Sequence, residues 1–74
     1  MASLPRLSGR KVVQIFTQFG WRVARQRGSH IIMIKGGHNA TLSIPDHPEV
    51  AKGTLRGLIR VADLTVSEFI TACQ

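Results

Sequence analysis

The chain of 74 residues is long enough for one small domain and too short for a second core. Ten Lys and Arg against four Asp and Glu give a formal net charge of +6, which favours a polyanionic partner such as nucleic acid. No apolar run approaches the ~20 residues of a membrane span and the N-terminus has no secretory signal, so we expect a cytoplasmic protein without membrane contact. The single cysteine, Cys73, excludes an internal disulfide and a cysteine-cluster metal site.

The N-terminal part predicts an arm followed by an amphipathic helix. Residues 1–7 contain Pro5 and show no periodic pattern, which indicates a flexible arm. Ser8 is a suitable N-cap for a helix that runs to about Phe19, and Gly20 fits the left-handed position just after its end. The apolar residues of this helix recur at three- and four-residue steps and therefore share one face: Val12, Ile15, Phe16 and Phe19.

The middle of the chain predicts three short strands. In residues 21–27 the residue types alternate with a period of two, which places Trp21 and Val23 on one face of the strand. Residues 30–35 hold an apolar run bounded by glycines, which is typical of a central strand covered on both faces or contacting a partner on the second. Residues 40–44 alternate again. Because the turns between these segments are short, the strands are predicted to form an antiparallel meander.

Two helices are predicted after the strands. Pro45 and Pro48 are expected to break the sheet and fix an extended loop. A second helix then runs from about residue 53 or 54 to residue 62 with one apolar stripe. A short last helix covers residues 66–72, and its start at residues 65–68 fits a capping box.

These elements predict a single α+β domain over residues 1–74, in the order α-β-β-β-α with a short extra C-terminal helix. The three-stranded antiparallel sheet and the helices each need to bury one apolar face, so both helices are expected on the same face of the sheet. This order and layering is that of double-stranded-RNA-binding domains. A fold alone does not define a function, which depends on the individual residues of a site.

His30 is the candidate catalytic residue. An imidazole titrates near neutral pH and can take the proton from a ribose 2′-hydroxyl, which then attacks the adjacent phosphate. Arg25 and Arg27 precede it on the neighbouring strand and would stabilise the extra charge of the transition state. The turn of Gly28 and Ser29 lets a phosphate backbone approach closely. Together these residues predict a metal-independent ribonuclease site; the alternative is a structural histidine at a strand edge.

A basic stripe on the second helix is the candidate RNA-binding surface. Lys52, Arg56 and Arg60 are spaced four residues apart and therefore line one helix face. No acidic residues match them along that face, which favours phosphate contacts over a merely solvated face. If the stripe does not bind RNA, the next candidate path is over Arg22, Arg25 and Arg27.

The other polar residues give weaker signals. His38 and His47 fall in predicted loops, and none of the three histidines has a metal-ligand spacing such as H-x-x-x-H. No glycine-rich phosphate loop is present. The sequence therefore predicts neither a metal site nor a small-molecule cofactor.

Five short segments, taken together and in order, resemble the HicA mRNA interferase toxins, the toxins of HicA–HicB toxin–antitoxin pairs. The resemblance covers roughly residues 8–73. The segments are Phe-Gly-Trp at 19–21, Arg-Gly-Ser-His-Ile-Ile-Met at 27–33, Ser-Ile-Pro at 43–45, Lys-Gly-Thr-Leu-Arg-Gly-Leu-Ile-Arg at 52–60 and Ala-Asp-Leu-Thr at 62–65.

The resemblance implies a double-stranded-RNA-binding-like fold and cleavage of mRNA without a metal, with His30 as the catalytic residue. It also implies a HicB-type antitoxin that covers this histidine. Three positions depart from the family pattern. Ile31 stands where relatives commonly have a polar residue, which makes the site less polar, while Ala51 replaces a proline and Asp63 replaces a glycine.

Two other functions remain open from the sequence. A non-enzymatic RNA-binding module of the same fold would use the basic stripe and keep its function without His30. A DNA-binding helix-turn-helix over residues 54–72 has a turn of suitable length, but its last helix carries no Lys or Arg to read bases.

Overall fold

The computed structural model describes residues 3–74 and confirms the predicted α+β fold, in the order α-β-β-β-α with an additional C-terminal helix. The elements are α1 (Gly9–Thr17), β1 (Arg22–Arg27), β2 (His30–Ile34), β3 (Leu42–Pro45), α2 (Lys52–Val61) and α3 (Val66–Cys73). Apolar residues three and four apart predict the helices, and alternation together with one apolar run bounded by glycines predicts the strands. Both patterns were correct for element type and order.

The sheet has the strand order β1-β2-β3, and both neighbouring pairs are antiparallel, as predicted. We call the face that packs against α1 and α2 the inner face and the opposite one the outer face. On the central strand β2, Ile31 and Met33 are buried on the inner face, whereas Ile32 and Ile34 are half-buried on the outer face. The apolar run of β2 therefore packs in the core on the inner face and is partly exposed on the outer face.

The core lies between the inner face and the helices. Each helix contributes its apolar stripe, as expected from the periodicity. In α3, Phe69 is fully buried and its ring centroid lies 5.2 Å from that of Phe16 in α1, so the C-terminal helix closes the core beside α1. The fully buried side chains also include Val12, Ile15, Trp21, Met33, Leu42, Ile44, Leu55 and Ile59.

A β-bulge interrupts the alternation predicted for β1. The register to β2 shifts between Val23 and Arg25, which leaves Ala24 as the extra residue. In a regular strand Val23 and Arg25 would share a face, because side chains alternate with a period of two. Here Val23 faces inward opposite Met33, whereas Arg25 faces outward opposite Ile32.

α1 begins in direct contact with the end of β3. Gly9 is buried, and its backbone N–H donates to the carbonyl oxygen of His47 at 2.9 Å. A Cβ on Gly9 would collide with the carbonyl oxygen of Pro45. Pro45 itself was predicted to break the sheet, but it is the last residue of β3 and pairs with His30. Proline is tolerated there because β3 is an edge strand and loses no essential donor.

The N-terminal segment differs from the predicted flexible arm over residues 1–7. Leu4 is only 2% exposed and belongs to the core, and the Leu7 carbonyl accepts a hydrogen bond of 2.8 Å from the Val50 backbone N–H. The sequence pattern missed this packing because a single leucine outside a periodic element leaves no signal. Residues 1–2 of the predicted arm lie outside the described residues.

The helix ends follow their capping residues. The Ser8 hydroxyl caps α1, and Thr65 with Glu68 forms the predicted capping box of α3. α1 ends at Thr17, two residues before the predicted end, and Gly20 takes the expected positive φ of 93°. α2 starts at Lys52, slightly earlier than predicted. No helix in residues 3–74 is long and apolar enough to cross a membrane.

Candidate active site

His30 is the first residue of β2 and is exposed on the outer face of the sheet. Its inward neighbour Ile31 is buried, so alternation directs His30 outward. The residue directly opposite on β1 is Arg27. Directly opposed residues of an antiparallel pair share a face and have Cβ atoms roughly 4.5–5.5 Å apart. The structure therefore brings the predicted catalytic histidine and an arginine together at one end of the sheet.

Two further arginines of β1 lie on this face, one of them because of the bulge. Arg25 lies opposite the outward residue Ile32, and Arg22 lies opposite the outward residue Ile34. A regular strand of the same length would direct Arg22 to the inner face. We call Arg22, Arg25 and Arg27 the sheet arginines; all three are exposed. They form a row of positive charge that leads along the outer face to His30.

The turn between β1 and β2 holds its shape through polar contacts on the inner side of the sheet. Gly28 has a φ of +57°, and a Cβ there would meet nothing within 4 Å. The carbonyl of Ser29 accepts a hydrogen bond of 2.7 Å from the Asp46 backbone N–H. Gly28 and Ser29 are exposed, so the turn beside His30 leaves open space for a phosphate group.

The basic stripe of α2 lies on a different side of the molecule. Lys52, Arg56 and Arg60 are exposed, while the opposite face of α2 is buried against the inner face of the sheet. β3 ends at Pro45, opposite His30, and a short loop connects it to the start of α2. Just after the C-terminal end of α2, Asp63 contacts His38 in the connection between β2 and β3. The stripe therefore starts near the His30 end and runs roughly 12 Å away from it. The structure does not place His30 and the whole stripe on one face.

His38 and His47 have different environments. His38, predicted as a loop residue, is half-buried: its ring centroid lies 4.9 Å from that of Trp21, and its Nε2 lies 3.1 Å from Oδ2 of Asp63. Asp63 adopts a φ of 61°, a backbone conformation that favours glycine. His38 thus fastens the β2–β3 connection to the end of α2. His47 is exposed on the loop after β3.

Two further features bear on the chemistry of the chain. Burial raises the pKa of the Cys73 thiol above its ordinary value, although the positive charge of Lys11 opposes the shift, so the thiol stays protonated near neutral pH. Within residues 3–74, His, Cys, Asp and Glu side chains form no group of three or more that would hold a metal ion.

The model of the family described as "HicA toxin of bacterial toxin-antitoxin" matches residues 9–64, about three quarters of the sequence. The chain belongs to the HicA toxin family. It is thus the toxin of a toxin–antitoxin system, a class of protein that pairs with an antitoxin.

The matched region contains the elements that position the candidate site. Residues 9–64 run from the start of α1 into the connection between α2 and α3. They include His30, the sheet arginines and the basic stripe of α2. The N-terminal segment with Leu4 and the helix α3 lie outside the match. Searches of curated proteins and of solved structures gave no significant match.

Proposed function

We propose that this HicA toxin is a metal-independent endoribonuclease that cleaves mRNA in the cytoplasm, with His30 as its catalytic residue. The observation that carries the proposal is the exposed imidazole at the end of a row of three arginines, with Arg27 directly opposite. An imidazole base beside fixed positive charge suits phosphodiester transesterification. The family match supports a toxin role, and the ribonuclease activity is our inference from the site.

In this mechanism His30 acts on the sugar next to the scissile phosphate. The neutral imidazole accepts the proton of the 2′-hydroxyl, and the 2′ oxygen attacks the adjacent phosphorus. The bond from phosphorus to the 5′ oxygen breaks, and that oxygen takes up a proton from solvent. Arg27 and Arg25 stabilise the negative charge that builds on the phosphoryl oxygens. The products are a 2′,3′-cyclic phosphate and a 5′-hydroxyl.

The RNA is bound by two groups of basic residues. Arg25, Arg27 and the turn of Gly28 and Ser29 contact the phosphates around the scissile bond. Lys52, Arg56 and Arg60 contact the strand farther along, because α2 starts near the His30 end of the sheet and leads away from it. The antitoxin is of the HicB type and neutralises the toxin by covering His30. An acidic antitoxin surface would complement the sheet arginines, since this part of the outer face carries no acidic residue.

We expect purified protein to cleave RNA in excess EDTA and to leave a 2′,3′-cyclic phosphate or a 3′-phosphate. The physical reason is that the 2′-hydroxyl is the nucleophile in the proposed reaction, so an RNA with 2′-methoxy groups should resist cleavage. Product ends can be read by their susceptibility to phosphatase and ligase. A strict magnesium requirement, or products with 5′-phosphate and 3′-hydroxyl ends, would contradict the mechanism.

A second prediction concerns the two basic groups. Each lost phosphate contact should lower the steepness of log affinity against log salt by about 0.7 for single-stranded RNA. We therefore expect both double variants, Arg25→Ala with Arg27→Ala and Arg56→Ala with Arg60→Ala, to bind all RNA sequences more weakly and with a shallower salt dependence. The ligand is a 2′-methoxy RNA, which binds without being cut.

The matched control is Arg6→Ala. Arg6 is an exposed arginine of the N-terminal segment, 4.0 Å from Glu49, so its removal changes the net charge without removing an assigned RNA contact. Its salt dependence should equal that of the wild type. If the α2 double variant also keeps the wild-type slope and affinity, the stripe does not bind RNA and the path runs over the sheet arginines alone.

A further inference from the structure

We propose that Asp46 and Gln26 are positioning residues that clamp the turn carrying His30. They lie on the inner side of the sheet, behind the surface on which His30 is exposed. The consequence for cleavage rests on the proposed ribonuclease function. The clamp itself is a property of the fold and can be tested without any substrate.

The clamp consists of contacts to both carbonyl groups of the turn. The Asp46 backbone N–H donates to the Ser29 carbonyl at 2.7 Å, and Nε2 of Gln26 donates to the Gly28 carbonyl at 3.2 Å. The same Nε2 donates to Oδ2 of Asp46, also at 3.2 Å. Since both neighbours of this amide group are acceptors, its nitrogen must face them. Gln26 and Asp46 thus hold each other and the two residues that precede His30.

A third residue fixes the clamp to α1. Arg10 donates from Nε to Oδ1 of Asp46 at 3.3 Å and from its terminal nitrogen to Oδ2 at 3.4 Å. Arg10 is largely exposed, whereas the side chain of Asp46 is only 19% exposed. A two-bond guanidinium contact to a mostly buried carboxylate fixes the orientation of the carboxylate. The turn is therefore tied to α1 as well as to β3.

The geometry distinguishes this role from that of an orienting carboxylate. In many catalytic sites an acid binds the second nitrogen of the histidine ring. Asp46 instead binds Arg10 and Gln26, and its link to His30 passes through the backbone of the turn. The residue also faces the inner side, away from bound RNA. We therefore expect Asp46 to set the position of His30, and we expect that substituting Asp46 does not weaken RNA binding.

The turn needs these hydrogen bonds because its own side chains make few contacts that would hold it in place. Gly28 has no side chain, and nothing lies within 4 Å of its Cβ position. A glycine in an exposed two-residue turn gains the most conformational freedom of any residue when it is released. A catalytic group displaced by about 1 Å can lose up to about 100-fold in rate. Holding both carbonyls limits this displacement.

The decisive variant is Gln26→Glu. It keeps the size of the side chain but replaces the donor by a carboxylate, which can bind neither the Gly28 carbonyl nor Asp46. The matched control is Glu49→Gln, which alters the charge of an exposed residue on the loop after β3 that does not contact the turn. Asp46→Asn keeps one acceptor oxygen. The double variant combines Gln26→Glu with Asp46→Asn. Its new amide at position 46 can donate to the new carboxylate at position 26, so this part of the clamp should be restored.

The test without substrate is backbone ¹⁵N relaxation. In Gln26→Glu we expect lower order parameters at Gly28, Ser29 and His30 only, with unchanged values in the helices, and a recovery in the double variant. In Glu49→Gln all values should equal those of the wild type. If the turn in Gln26→Glu stays as rigid as in the wild type, the clamp proposal is wrong, whatever the outcome of the cleavage assays.

The second test is RNA cleavage. In Gln26→Glu we expect kcat to fall about 10- to 100-fold. In Asp46→Asn the fall should be smaller, because this variant keeps the backbone N–H to the Ser29 carbonyl and one acceptor oxygen for Gln26. KM should not rise in Asp46→Asn, because this variant removes a negative charge and frees Arg10. A rise in KM with unchanged kcat would assign these residues to RNA binding instead. If wild-type protein cleaves no RNA while the relaxation result holds, the proposed function fails and the clamp stands.

Discussion

Replacing His30 by alanine is expected to lower RNA cleavage by a factor on the order of 10² to 10⁴, which is the usual contribution of a positioned general base. The fold should be retained with a change of about 0.5 kcal/mol or less in the free energy of unfolding, since His30 is exposed and its side chain makes no hydrogen bond within residues 3–74. The measurements are initial cleavage rates and thermal unfolding of both proteins. In cells, induced wild-type protein should arrest growth and shorten mRNA, and the variant should be tolerated.

The matched control for this prediction is His47→Ala. His47 is exposed on the loop after β3, and its contact in the structure is made by the backbone carbonyl, which alanine keeps. Cleavage by this variant should stay close to the wild-type rate. Equal toxicity of His30→Ala and wild type at matched expression would remove His30 from the mechanism and favour an RNA-binding module without catalysis.

Replacing Gly9 by alanine is expected to destabilise the protein by about 3 kcal/mol, the upper range for a methyl group forced into a filled site. The new Cβ would collide with the Pro45 carbonyl oxygen and would lie 3.0 Å from its carbonyl carbon, both backbone atoms that cannot rotate away. For a domain of this size the melting temperature should fall by roughly 10–25 °C. Because Pro45 lies opposite His30, the shift also disturbs the site.

Gly57→Ala is the control for the glycine substitution. Gly57 lies inside α2, and nothing is within 4 Å of its Cβ position. Alanine there should stabilise the protein by about 0.5–1 kcal/mol through its higher helix propensity. A Gly9→Ala protein that melts within a degree of the wild type would show that the contact between α1 and β3 can relax at no cost.

Much of the fold could be predicted from the sequence because it depends on local patterns. Apolar residues at helical spacing and alternation in the strands indicated the elements, and short turns indicated the antiparallel order. The capping box at Thr65 and the left-handed Gly20 were correct for the same reason, since each depends on a few neighbouring residues. The Gly-Ser turn and the two neighbouring arginines indicate His30 as the candidate catalytic residue, and that role stays a prediction.

What the sequence did not indicate depends on distant contacts. Asp46 lies in the predicted loop, and its contacts with Gln26 and Arg10, 20 and 36 positions away, arise only in the folded chain. His38 is a loop residue as predicted, but its contacts with Asp63 and Trp21 likewise depend on the fold. Such contacts leave no periodic trace. Leu4 was missed for the same reason.

The bulge at Ala24 has a consequence for how members of this family should be aligned. In a relative that lacks this one residue, a regular strand would still direct the counterparts of Arg22 and Arg25 to the outer face, so the alignment gap belongs at residue 24. A gap placed nearer the Gly-Ser-His turn would match outward residues of one chain with inward residues of the other. A relative of equal length with a regular strand would instead turn its first arginine toward the helices. Two relatives with the same number of arginines in this strand would then differ in the positive charge on the outer face beside His30.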